Sequence, residues 1–556
     1  MSSLYFAIIC LVFNFLIKVF GEGPMLLDSK YSIQWDIDLE NSRIYFQSIV
    51  ETVGYVGFGL SSNGQMNGAD IFIAGVVPIN WTYAMDMHGV GHTLVRDDVN
   101  DWHLTSASEN STHTHLSFWR ELNTCDLEDV AITNDTVRII WSYGASDDIT
   151  YHGEGSRGTT STNFLAPPQP VWDPSRYSRF DVTINFTMPA EETTYWCSLH
   201  RGPRVTAKSH IVAFEASLNN DLARIHTHHF VLMMCNAPPG LNATELFEPH
   251  VGRGGHLCYD VPEFNPLPML YCQEYLYVWA VGGRPTRFQE LVGYPFGDSG
   301  TEVYYLLEVH YDNPRRTPGL TFVTGVSIYH TAELREVDAG LMWTPYDNNP
   351  SLIIPPETTG FTIRRKMKFR HFRDGIELEW IMSDGNYDFN FQQSSDLWEE
   401  RTVLPGDQLT VECVFDSTGR NNTVIAGGFS TREEMCEAIF WYYPKIPLVS
   451  CGSIYPFESA LAEYGVTNYT LIRNSTYMTV PWIWAPESLA GSNGMDLLTS
   501  LNTRYNWTLE FIDFMRQSRQ FGQHLYHCLV DGEDAEYGNV RYPQLEQEYQ
   551  PINPCV

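Results

Sequence analysis

The chain has 556 residues, too many for one hydrophobic core, so about three globular units of ~100–200 residues each are expected. Hydrophobic residues make up 43% and aromatics 14%, which excludes a disordered chain and suits folded, strand-rich domains. The net charge is -33; so acidic a surface repels nucleic acid and anionic membranes, argues against both as partners, and serves solubility.

Residues 4–16 are almost continuously apolar, and Gly21, Glu22, Gly23 and Pro24 end the run. That length suits the core of a secretory signal and is short for a membrane span. A signal peptide is expected over residues 1–22, with Lys18 an imperfection in it and an uncleaved N-terminal anchor as the alternative. No later segment is apolar for long enough to cross a bilayer. Removing the signal removes Cys10 and leaves ten cysteines, an even number, as a disulfide framework would. Nine Asn-X-Ser/Thr sequons begin at Asn80, Asn110, Asn134, Asn185, Asn242, Asn421, Asn468, Asn474 and Asn506. Together they point to a glycoprotein that is secreted or held in the lumen of the secretory pathway.

From about residue 31 to 151 the pattern is one of short strands. Residues 31–37 alternate between apolar and polar, which gives a strand one buried face. Residues 44–49, 71–77, 115–119 and 137–143 follow, separated by Gly, Asn and Asp turns, and no helical period competes. A β-sandwich over residues 23–170 is the economical reading, with a linker rich in Gly, Ser, Thr and Pro from residue 153 to its end. A second strand-rich block spans 171–341 and a third 342–525. One short helix is expected in the third, over residues 431–436, where Thr431 would cap a first turn rich in Glu. Residues 526–556 read as a polar tail over the surface, pinned at its end by Cys555.

The densest chemistry lies in residues 224–231, which read as a strand carrying His226, His228 and His229. Neutral imidazole is a good ligand for copper or zinc. Alternation puts His226 and His228 on one face and His229 on the other, so an adjacent pair serving one ion needs a bulge or twist. A His-rich surface strand is the equal alternative. His310 ends an apolar strand and would complete a three-nitrogen site, although a lone histidine there is usually structural. Met435 lies in the predicted short helix, where Met is more often core than ligand, but a thioether is a soft donor that favours Cu(I).

At these residues the chain resembles the type II copper, ascorbate-dependent monooxygenases. The resemblance rests on Thr194-Tyr195-Trp196-Cys197, His228-His229-Phe230, Leu307-Glu308-Val309-His310-Tyr311 and Glu433-Glu434-Met435-Cys436. Arg370-His371-Phe372-Arg373-Asp374-Gly375 and Tyr387-Asp388-Phe389-Asn390-Phe391-Gln392 are similar to the DBH-like branch. The resemblance implies an all-β chain: an N-terminal DOMON β-sandwich followed by two jelly-roll-like β-sandwich copper domains. It implies two coppers, one held by His228, His229 and His310 for electron storage, the other by Met435 with a His-X-His pair where O2 reacts. Ascorbate would supply electrons, and a small amine-type substrate would be hydroxylated at an activated C–H. Tyr195 matches a tyrosine given an active-site role in the family; a core aromatic beside a disulfide is the equal alternative. Relatives of this kind dimerise, which leaves a homodimer open without the sequence deciding it. Asp70 and Asp101 match acidic positions that hold a metal in some relatives, and the other reading has both capping turns.

The chain also departs from the family. The stretch expected to carry the His-X-His pair and two cysteines is missing between Ile363 and Arg364, and neither His113-Thr114-His115 nor His226-Thr227-His228 replaces it. The resemblance pairs Cys197 with Cys258, Cys235 with Cys272, Cys413 with Cys436, and Cys125 with Cys555. It leaves Cys451 and Cys528 either free or joined to each other. The alternative function is therefore a secreted copper-binding form that lacks turnover.

Overall fold

The computed structural model describes residues 18–20, 24–77, 81–258, 268–297, 302–346, 352–358, 366–392, 394, 396–428, 430, 432–473, 479–530, 533–551 and 555. The apolar run at 4–16 and the junction between Ile363 and Arg364 lie outside the described residues. The chain forms two compact units, residues 1–168 with 552–556, and residues 169–551.

The first unit is built from two six-stranded antiparallel sheets. One is ordered Lys18–Phe20, Tyr31–Asp38, Arg43–Val50, Thr114–Glu121, His103–Glu109, with Met25–Leu26 beside Tyr31–Asp38. The other is ordered Arg157–Thr162, Val137–Tyr143, Val56–Ser61, Asp70–Val77, Trp81–Val90, Thr93–Arg96. Alternation along Arg43–Val50 buries Ile44, Phe46, Ser48 and Val50, and Phe46 stacks on Phe118 at 5.3 Å. Phe58, Phe72 and Trp102 complete an aromatic core, which is where much of the aromatic content of this unit is used. One expectation changes here. Arg157–Thr162, read as linker, is an edge strand pairing with Val137–Tyr143. Lys18–Phe20, inside the stretch read as signal, pairs with Tyr31–Asp38.

The second unit opens with a sheet of Ser178–Thr187, Thr321–Thr331, Ser209–Leu218, Val292–Phe296 and Val337–Asp338, with Thr286–Arg287 on its side. A five-stranded sheet follows, ordered His256–Leu257, Thr193–Arg201, Tyr304–Asp312, Thr227–Cys235, Glu274–Ala280. Residues from both sheets, among them Ile184, Phe214, Phe230, Leu307 and Val326, form one buried core. The C-terminal part has a sheet ordered Cys436–Tyr442, Gly340–Tyr346, Leu448–Ile454, Gln523–Val530, Glu533–Arg541. Beside it in sequence lies a smaller sheet centred on Lys366–Arg373. The chain is thus all-β in class, as the sequence indicates.

The helices of the C-terminal part are not where the sequence suggested. Residues 432–435 form a turn and a bridge leading into the strand Cys436–Tyr442, with Glu434 bridged to Gly427; Thr431, the expected cap, lies outside the described residues. Among the described residues, the α-helices are instead Phe457–Glu463, Glu487–Ala490, Leu497–Thr503 and Leu509–Phe521. Thr508 caps the last by accepting from Phe511 N, and Ile512 and Met515 are buried one helical turn apart. The tail also differs: Glu533–Arg541 adds a strand to Gln523–Val530, which crosses the boundary expected at 525. Five disulfides are present. Cys197–Cys258, Cys235–Cys272, Cys413–Cys436 and Cys125–Cys555 are those the resemblance implied. Cys451 and Cys528 are joined to each other, from directly opposed positions on paired strands with Cα atoms 4.0 Å apart.

Candidate metal centre

Three strands of the five-stranded sheet bring the candidate residues together. In register, Tyr195 on Thr193–Arg201 faces His310 on Tyr304–Asp312, and His310 faces His229 on Thr227–Cys235. Directly opposed residues project to the same side of a sheet. That alone accounts for two imidazoles and the phenol. His228 should point the other way, but the pairing shifts register between Thr227 and His229. This bulge is the irregularity an adjacent His pair requires. His228 Nδ1 lies 3.1 Å from His229 Nδ1. The ring of His310 is 5.0 Å from that of His228 and 4.8 Å from that of His229. One nitrogen from each ring lies within 4.8 Å of the others.

His226 leaves this group. Residues 224–226, expected as strand, instead end the short helix Asp221–His226, because Asn220 accepts from Ala223 N and Asp221 suits its first turn. His226 then turns its Nδ1 to Asp312 O at 2.8 Å.

The surroundings favour neutral, ligand-competent imidazoles. Burial pushes the His228 ring down to about 4 and the His229 ring down to about 3, and it holds His310 well below the usual imidazole range. Buried His228 Nε2 and both nitrogens of His310 have no hydrogen-bond partner. Buried polar atoms rarely stay unpaired without a reason such as an ion. Donors of this kind, all nitrogen and converging from two strands, fit copper or zinc.

Two aromatic rings enclose the group. Tyr195, fully buried, stacks on His310 with centroids 4.5 Å apart. Phe389 stacks on His228 at 4.4 Å. The segment carrying Phe389 is tied to the histidine sheet, with Gln392 N donating to Val281 O at 2.7 Å. Gly282, at φ +86°, leaves room for Phe391, whose ring would lie 2.5 Å from a Cβ there. In the sequence, residues 387–392 stand out only by resemblance to the family. No periodicity signals a contact between residues so far apart in the chain.

Met435 stands apart from any such assembly. It is half-buried at the entry to Cys436–Tyr442. Among the described residues, none of the groups of His, Cys, Asp and Glu able to hold a metal draws a ligand from residues 342–525. His371 Nε2 meets Asp407 Oδ2 at 2.7 Å, and His524 Nδ1 meets Gly522 O at 3.2 Å, so both histidines of that block have structural partners. A second copper therefore does not fit the donors described. Cys197 and Cys258 lie beside Glu308, but their sulfurs are spent in a disulfide.

In the first unit, Asp70 is fully buried and engaged. It pairs with Arg120 and accepts from Trp102 Nε1 at 2.5 Å and Val130 N at 3.3 Å. Asp101 N donates to Asp86 Oδ2 at 2.6 Å. Burial raises the Asp70 carboxyl to about 6, against the opposing pull of Arg120.

Comparison with known proteins agrees with this architecture. A DOMON domain profile matches residues 27–144. Profiles for the N-terminal and C-terminal domains of copper type II ascorbate-dependent monooxygenases match residues 180–318 and 339–463. The chain belongs to the copper type II ascorbate-dependent monooxygenase family. It is 34% identical to "DBH-like monooxygenase protein 1" of Gallus gallus, over 86% of this chain and 80% of that relative. The Homo sapiens protein of the same name is also 34% identical, over 87% and 82%. "Dopamine beta-hydroxylase" of Canis lupus familiaris is 27% identical, over 77% and 72%.

Proposed function

We propose that this chain is a copper- and ascorbate-dependent monooxygenase of the secretory pathway that uses O2 to hydroxylate an activated C–H of a small amine-type substrate. The observation that carries the reading is the set of buried, unpaired nitrogens on His228 and His310 beside His229. These three residues would hold one copper; a second would draw on Met435, which has no imidazole partner among the described residues. Bound at the histidines, copper supplies a one-electron store between ascorbate and the hydroxylation. The imidazoles are kept neutral by burial and so need lose no proton to bind. Tyr195 holds the His310 ring in place by stacking, and Phe389 shields His228 from water. A signal peptide, glycosylation and a homodimer belong to the same proposal.

A second reading has a specific observation behind it. Both histidines of residues 342–525 are engaged elsewhere, which leaves Met435 without imidazole partners among the described residues. On that reading the chain binds one copper and does not turn over. Copper analysis with ascorbate-driven oxygen uptake separates the two. Two coppers per chain with uptake support the oxygenase, and one copper without uptake supports the binding form. His310→Ala is expected to abolish tight copper binding at the histidine centre, and copper content unchanged in that variant overturns the three-histidine site.

A further inference from the structure

We propose that His88, Asp97 and Glu128 form a binding site for a divalent transition-metal ion of the zinc class in the first unit. The three come from separate segments. His88 lies on Trp81–Val90, Asp97 directly follows its hairpin partner Thr93–Arg96, and Glu128 lies in the loop after Cys125. One donor atom from each lies within 4.8 Å of the others. An imidazole with two carboxylates is three-quarters of a four-coordinate zinc sphere, and the nitrogen disfavours calcium, which takes oxygen ligands.

The burial of Asp97 points to a ligand. Its side chain is only 2% exposed, and one oxygen meets His88 Nδ1 while Oδ2 is buried with no donor. A buried carboxylate oxygen is costly to leave without a cation or donor. The partner in reach is the His88 ring, which sits on the other oxygen. Asp86 Oδ1 and Asp129 Oδ2 are also buried without donors, and Arg120 is committed to Asp70 with Asp129 3.5 Å away. The site is separate from the Asp70 carboxylate, whose oxygens are occupied by Arg120, Trp102 and Val130.

The third ligand is held in place. Cys125 is bridged to Cys555, and Asp126 Oδ1 accepts from Glu128 N at 2.9 Å, which fixes the turn. Glu128 Oε1 stands 3.6 Å from His88 Nε2, and its side chain is 48% exposed. That open side gives an ion an entry path and room for a water as fourth ligand. An ordinary ion pair between His88 and the two acids is the competing account.

The test uses the full chain with its histidine centre first loaded with one equivalent of copper. Zinc chloride is then titrated calorimetrically into wild type, His88→Gln, Asp97→Asn and Glu128→Gln. One zinc per chain is expected for wild type, with binding at least tenfold weaker in His88→Gln and Asp97→Asn, and copper content unchanged. Zinc should also raise the melting temperature of wild type and leave that of His88→Gln unmoved, a readout that stands if Asp97→Asn fails to fold. Equal zinc affinity in wild type and His88→Gln, no zinc uptake by wild type, or calcium bound in preference to zinc overturns the proposal.

Discussion

Tyr195 and His310 face each other on paired antiparallel strands, with rings stacked 4.5 Å apart. The phenol thus packs on a member of the histidine group. Tyr195→Phe keeps the stack and is expected to retain its copper, with stability within about 1 kcal/mol of wild type. Tyr195→Ala removes a ring that is 1% exposed and should cost about 3–5 kcal/mol, with loss of copper. Denaturant unfolding and metal analysis of the two variants check this. Copper lost in Tyr195→Phe would mean that the hydroxyl, not the ring, supports the centre.

Phe389 is the cover on the other side. It stacks on His228 but is 40% exposed, so the fold does not depend on it. Phe389→Ala should leave copper stoichiometry and melting temperature nearly unchanged. It should weaken copper affinity by about 1 kcal/mol, or several-fold, the worth of an aromatic stack. A competition titration with a copper chelator measures it.

Much of this centre was legible in the sequence, for identifiable reasons. His228, His229 and His310 sit on apolar strands, and the parity of strand faces already demanded a bulge at the adjacent pair. The structure puts a register shift there, between Thr227 and His229. His226 was placed on a strand because residues 224–231 read as one continuous segment, although Asn220 followed by Asp221 is a helix-start signal. Arg157–Thr162 passed as linker because Ser, Thr and Gly mark loops as well as edge strands. Phe389 over His228 was beyond local reading, since that contact depends on how two distant parts of the chain pack. The partners of Cys451 and Cys528 were left open by resemblance and are settled by strand pairing.

The Cys451–Cys528 bridge predicts a thiol count. With all ten cysteines after Cys10 in disulfides, a chain lacking Cys10 should show no free thiol in denaturant without reductant. Replacing Cys451 and Cys528 by serine should lower stability by about 4–5 kcal/mol, given the 77 residues that separate them. Two reactive thiols in the unmodified chain would contradict the pairing.

Gly282 sets how closely the Phe389 segment approaches the histidine sheet. At φ +86°, with a Cβ 2.5 Å from the Phe391 ring, alanine meets both backbone strain and a clash. Gly282→Ala should cost about 2–3 kcal/mol and, because Gln392 bonds to Val281, should loosen the cover over His228. Thermal unfolding gives the first effect. The copper competition assay gives the second, with Phe389→Ala as its reference.

Asp407 ties together the strand that carries His371. Its carboxylate accepts from Arg373 Nε at 2.8 Å, Arg373 Nη2 at 2.7 Å and Leu404 N at 2.8 Å, and it meets His371 Nε2 at 2.7 Å. The Arg373 guanidinium, with Leu404 N and His371 adding to it, holds this carboxyl well below the usual carboxylate range. A depressed folded value means the stabilisation is fully present above the unfolded value of ~3.9 and is lost as pH falls through the lower folded value. Asp407→Asn should therefore lower stability by about 2 kcal/mol at neutral pH, the scale of hydrogen bonds to a charged group. Below pH ~4 the gap between variant and wild type should close, because wild type loses there what the variant never had. Urea unfolding at pH 7, 5, 4 and 3 measures the gap. A difference that stays constant down to pH 3 would show that Asp407 acts by shape alone.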